Sequence, residues 1–152
     1  MAVDWLHDRV GAAERGENPM VLARLRSGFA VIGDVQFLPG YCVLLASPQV
    51  ARLEDLPRAE RAAFLDDMGL LGEAVNAACA PLRVNYSIYG NTDAFLHAHV
   101  WPRYDWETDE RRAKPPWLYP ESHWRDPAFA YDPAEHGTIR AAIAEELARL
   151  TR

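Results

Sequence analysis

The chain has 152 residues, 49% of them apolar and 25% charged, with a formal net charge of −6. That is the profile of a globular chain with enough residues for one real core, and it excludes a disordered or fibrous protein. No run approaches the ~20 apolar residues of a membrane span, no apolar stretch follows the first basic residues as in a signal peptide, and the acidic balance argues against general nucleic-acid binding. The expected compartment is the cytoplasm, where Cys42 and Cys79, far apart and each in an apolar context, read as reduced core residues.

Trp5, Leu6, Val10 and Ala13 recur at roughly helical spacing over residues 3–15, and Arg15-Gly16-Glu17-Asn18-Pro19 stops that helix. Alternation then predicts strands over 20–25, 29–32 and 41–46, joined through Ser27-Gly28 and through Gly33-Asp34 and Pro39-Gly40 as an antiparallel meander. Asp34 beside Gly33 suits a turn. Residues 47–56 form a connector, because Pro48 rules out a regular strand, and Arg52 lies within reach of the meander. Over 57–78 the period changes to that of a helix, with Phe64, Met68, Leu71, Val75 and Ala78 as its apolar stripe and Pro57 in its first turn. Gly69 and Gly72 on one face of that helix predict close packing against a neighbour. Pro81 ends it, and alternation returns over 82–88, with Arg83, Asn85 and Ser87 opposite Val84, Tyr86 and Ile88. Asn85 reads either as an exposed amide or as a substrate contact.

The next strand carries the chemistry. Phe95, His97, His99 and Trp101 fall on one face, expected to look outward, and Leu96, Ala98 and Val100 on the core face. Pro102 is expected to end the strand or hold it to an edge, leaving Arg103 at the rim. Two imidazoles at i and i+2 admit three readings: a solvated polar pair, two metal ligands, or a nucleophile on phosphorus with a partner. The metal reading lacks further ligands, since Asp105 and Glu107 lie past the proline and there is no Cys-x-x-Cys pair. A phosphate suits the surroundings, because Gly90-Asn91-Thr92 offers flexible backbone, an amide and a hydroxyl as neutral donors.

Residues 105–133 are polar, proline-broken and aromatic, with Trp106, Trp117, Trp124, Tyr119, Phe129 and Tyr131. So many aromatics argue against disorder, so the segment is expected to wrap over the fold, near a base that an aromatic could stack on or sealing a core or dimer surface. An amphipathic helix closes the chain over 138–150, with Ile139, Ile143, Leu147 and Leu150 on one stripe.

Gly90-Asn91-Thr92 followed by Phe95-Leu96-His97-Ala98-His99-Val100-Trp101-Pro102-Arg103 resembles the signature of the histidine triad (HIT) family of nucleotide hydrolases and transferases, and Leu38-Pro39-Gly40-Tyr41-Cys42-Val43-Leu44-Leu45 is similar to that family's Pro-Gly-His strand. Phe95 stands where the first histidine belongs, and Asn91 where the pattern has glutamine. The resemblance implies an α+β fold over 1–152 as a single domain: an antiparallel sheet of about five strands, one long helix packed on it and flanking terminal helices. The motif core is 28–104, with an extension at 105–152. It further implies a nucleotide hydrolase or nucleotidyl transferase acting on phosphoanhydride or phosphoramidate bonds through a nucleotidyl-histidine, diadenosine tetraphosphate among the substrates. His97 would be the nucleophile, His99 would hydrogen-bond a phosphoryl oxygen or the leaving group, Asn91 and Thr92 would be the phosphoryl donors, and Asp34, Asn85 and Arg103 the substrate contacts. No cofactor is obligatory, although magnesium can accompany a polyphosphate, and a homodimer is implied. The alternative from another class is a nucleotide-binding or sensing module that keeps the pocket without rapid turnover.

Overall fold

The computed structural model describes residues 4–152; Val3, in the predicted first helix, lies outside them. The remainder of that helix is split into a 3-10 turn, Trp5–His7, and α1, Arg9–Glu14, because Asp8 adopts a non-helical backbone between them and accepts a hydrogen bond from Gly11 N at 3.2 Å. Five strands follow the predicted alternation: β1 (Val21–Arg24), β2 (Gly28–Ile32), β3 (Cys42–Ala46), β4 (Arg83–Ser87) and β5 (His97–Arg103). They form one antiparallel sheet in the order β1-β2-β3-β5-β4, so the histidine strand is internal.

Directly paired residues of antiparallel strands share a face. The register Ile32↔Cys42↔Val100 and Ala30↔Leu44↔Ala98 therefore builds one apolar face, and Val31↔Val43↔His99 and Phe29↔Leu45↔His97 the other. The first face is covered by α2, Arg58–Cys79, whose Phe64, Leu71 and Val75 are fully buried and which packs in turn on the terminal helix. Asp67 of α2 is buried too, accepting from Ser27 N at 2.7 Å and Ser27 Oγ at 2.6 Å, which ties the helix to the β1–β2 turn. Gly72 meets Tyr86 as the close-packing expectation requires; Gly69 faces open space.

Pro102 does not end β5, which runs on to Arg103. Arg103 O accepts from Leu82 N on the β4 side, so alternation turns the Pro102 nitrogen toward β3. Pairing with β3 has already stopped at Val100↔Cys42, so no ladder bond is lost. Residues 105–132 are not structureless: they hold α3 (Asp109–Arg112), α4 (Glu121–Arg125) and 3-10 turns at Pro116–Leu118 and Pro127–Phe129. The last helix, α5 (Pro133–Leu150), starts earlier than its apolar stripe because Asp132 caps it, accepting from Ala134 N at 3.2 Å. Among the described residues, no helix is long and apolar enough to cross a membrane.

Candidate active site

The second sheet face does not look outward. His97, His99 and Trp101 are 9%, 7% and 1% exposed, and the 105–132 segment lies across the last two through Trp117 and Trp124. An aromatic cluster holds it there: Phe37 from the β2–β3 loop packs against Trp101, Tyr119, Trp124 and Phe129, with centroids 4.9 to 6.2 Å apart. Backbone bonds from Gln36 N to Phe129 O (2.6 Å) and from Tyr131 N to Asp34 O (2.8 Å) fasten the segment to the loop after β2.

Beneath this cover is a cavity of about 640 Å³, within the roughly 300–1,000 Å³ typical of small-molecule sites. Its floor is the apolar row Val31, Val43 and Leu45, which the register sets beside His97 and His99; the 89–93 turn and α1 form its sides, and Trp117 and Trp124 complete it from the C-terminal segment. Trp117 and Trp124 stack with centroids 4.6 Å apart, and Trp117 meets His99 edge to face at 4.8 Å.

The two imidazoles stand 4.9 Å apart and are held in different ways. His97 Nδ1 lies 2.7 Å from Phe95 O. A carbonyl can only accept, so Nδ1 carries the hydrogen and Nε2 of the neutral ring keeps its lone pair. His99 Nδ1 lies 2.6 Å from the Tyr41 hydroxyl. Burial, aided by the neighbouring His97, pushes the His99 pKa down to about 3, so that ring is neutral. Burial, with the Asp34 charge adding to it, holds the Tyr41 hydroxyl well above its ordinary pKa and therefore protonated.

The predicted site residues separate into two groups. His97, His99, Asn91, Thr92 and Asp34 all line the cavity. Asp34 accepts from the two terminal Arg9 nitrogens at 3.1 and 2.6 Å. Asn85 and Arg103 are on the same sheet face but do not line the cavity. Arg103 is 3% exposed, and all five of its N–H donors are taken, by Glu107, by Asn85 Oδ1 and by the carbonyls of Arg111 and Lys114. Glu107 completes that knot by accepting from Tyr104 N and the Tyr119 hydroxyl. The pair anchors the covering segment and leaves no hydrogen for a ligand.

Sequence reasoning assigned no role to Arg9 or Tyr41 and named Trp117 and Trp124 only as members of an aromatic segment. Tyr41 had a usable signal, its place directly after Pro39-Gly40 on a strand beside the histidines. Arg9 had none, since an arginine in a short amphipathic helix is ordinary. Among the described residues, no three His, Cys, Asp or Glu side chains converge as a metal site.

No family model matches the sequence, and no curated protein matches it. Solved structures do resemble the fold. A histidine triad protein from Marinobacter aquaeolei VT8 superposes with a TM-score of 0.70 at 20% identity, over 95% of this chain and 96% of its own. A histidine triad protein from Bradyrhizobium japonicum gives 0.69 at 16% identity over 89% and 95%. A histidine triad nucleotide-binding protein from Sulfolobus tokodaii gives 0.70 at 11% identity over 94% and 93%. The α+β arrangement, a five-stranded antiparallel sheet with helices on it, is thus the one that histidine triad proteins adopt.

Proposed function

We propose that the chain is a nucleotide hydrolase or nucleotidyl transferase that breaks a phosphoramidate or phosphoanhydride bond through a nucleotidyl-His97 intermediate. The observation that carries this reading is the His97 Nδ1–H bond to Phe95 O, which puts the lone pair of the neutral ring on Nε2, in a cavity with a second imidazole alongside. His97 Nε2 attacks the α-phosphorus, the bond to the leaving group breaks, and water or another acceptor then releases the nucleotide. Asn91 and Thr92 donate to the phosphoryl oxygens, each worth up to ~3–4 kcal/mol in the transition state. Asp34 keeps acceptor capacity beyond its Arg9 bonds for the ribose hydroxyls.

Charge ranks the substrates. Among the described residues lining the cavity, Arg9 is the sole cation and Asp34 already matches it, while Asp93 adds a negative charge. A leaving group bearing several phosphates meets repulsion there unless magnesium accompanies it, whereas the amine of a phosphoramidate does not. This favours nucleoside phosphoramidates over diadenosine tetraphosphate. Exposed Tyr86 and Leu82 at the edge strand β4 support a homodimer through that edge, and the unbridged thiols of Cys42 and Cys79 suit the cytoplasm.

The test is incubation of wild type and His97→Ala with adenosine 5′-phosphoramidate and with diadenosine tetraphosphate, following products and intact protein mass. Product and a nucleotidyl adduct from wild type, both absent in the variant, are expected, with the phosphoramidate turned over faster. Nucleotide binding with equal background from both proteins would overturn the catalytic reading.

A further inference from the structure

We infer that Tyr41 is a positioning residue that fixes His99 as a hydrogen-bond donor to the departing atom; the inference rests on the nucleotidyl-transfer reading of this site. A neutral imidazole has one N–H and one lone pair, so what its Nδ1 meets decides what its Nε2 can do. The His97 ring meets a carbonyl and is left as a nucleophile; the His99 ring meets a hydroxyl at 2.6 Å. That hydroxyl can donate to Nδ1, which leaves Nε2–H to point elsewhere, or accept from it, which would leave two lone-pair nitrogens competing for one phosphorus.

The surroundings favour donation. Tyr41 is 5% exposed, its ring lies flat against Trp101 at an interplanar angle of 3°, and its hydroxyl has no other partner among the described residues. Within the protein its proton therefore has His99 as its one acceptor, and leaving it unpaired would be costly in a buried place. Burial also keeps that proton on the tyrosine oxygen. Two histidines of identical chemistry and similar burial thus acquire opposite roles from their Nδ1 partners, a backbone acceptor for one and a side-chain donor for the other. Phe95 contributes through its carbonyl, which any residue would provide, whereas the Tyr41 contribution is in its side chain.

The experiment compares wild type with Tyr41→Phe, which removes only the hydroxyl. Nitrogen-15 NMR of the imidazole rings, recorded without substrate, should show His99 protonated at Nε2 in wild type and a mixture of tautomers in the variant. Single-turnover adduct formation is then measured with adenosine 5′-phosphoramidate, whose amine is a poor leaving group that depends on a hydrogen bond to the departing nitrogen, and with adenosine 5′-phosphorofluoridate, whose fluoride leaves as a stable anion and depends on it less. The variant should lose about tenfold more on the amine than on the fluoride, the order of one hydrogen bond, with the loss in rate and not in KM. Wild-type His99 protonated at Nδ1, an unchanged tautomer in the variant, or equal losses on both substrates would each overturn the assignment. Absence of any adduct from wild type would instead sink the nucleotidyl-transfer reading, and the NMR result alone would then decide the Tyr41 contact.

Discussion

Phe95 shows how a side chain can differ while the contact made by its position persists. What this position supplies to His97 is a carbonyl oxygen at 2.7 Å, and phenylalanine has the same carbonyl as histidine. His99 has a less neutral consequence for the protein. Its pKa of about 3 in the folded state is far below the 6.5 of a free imidazole, so the unfolded chain binds the extra proton more readily between those values. Stability is therefore undiminished by this residue above about pH 6.5 and eroded progressively as pH falls toward 3. Denaturant midpoints across that window should decline less steeply in His99→Gln than in wild type. Asp34 makes a different prediction. If its carboxylate holds ribose hydroxyls, wild type discriminates adenosine from 2′-deoxyadenosine phosphoramidate in KM, and Asp34→Ala reduces that discrimination by up to about tenfold, one hydrogen bond's worth. An unchanged ratio would confine Asp34 to its ion pair with Arg9.

Among elements, the strands and α2 were legible because alternation or short apolar runs between turn residues mark the strands and a helical period marks α2. The site's floor was not, since Cys42 to Ala46 is apolar throughout and only the register with β5 sets Val43 and Leu45 on the face of His99 and His97. The 105–132 segment was not legible, because its order comes from aromatic contacts with Phe37 and from the Arg103–Glu107 knot, and neither leaves a local pattern. For the same reason the end of β5 was not legible: Pro102 signals a strand end only where its nitrogen faces a partner, and the register that spares it is long-range. Two substitutions test these elements. Arg103→Met leaves Glu107 buried without its cation and should cost about 3–5 kcal/mol in urea denaturation. On β2, a Cβ at Gly28 would stand 1.8 Å from Leu45 O, so Gly28→Ala should cost about 1–3 kcal/mol by forcing β3 outward, which the same measurement reads.

At the scale of the whole molecule, the two faces of the sheet are closed by different parts of the chain. The core face is shut by α2 with α5 behind it, where Leu147 is fully buried; Leu147→Ala should lower stability by about 2–5 kcal/mol while the adduct chemistry on the far face persists. The site face is shut by the tryptophans of 105–132, so nucleotide binding should change intrinsic fluorescence, and Trp117→Phe should diminish that change. The cavity takes Arg9 from before the first strand and Trp124 from after the last, and its cover is pinned at Tyr131 to the loop that bears Asp34. Such a site is assembled from contacts of long sequence separation and forms only when they do. A chain cut after α3 would therefore carry all five strands while His99 and Trp101 lack the tryptophans that lie over them, and the cavity would lack one of its walls.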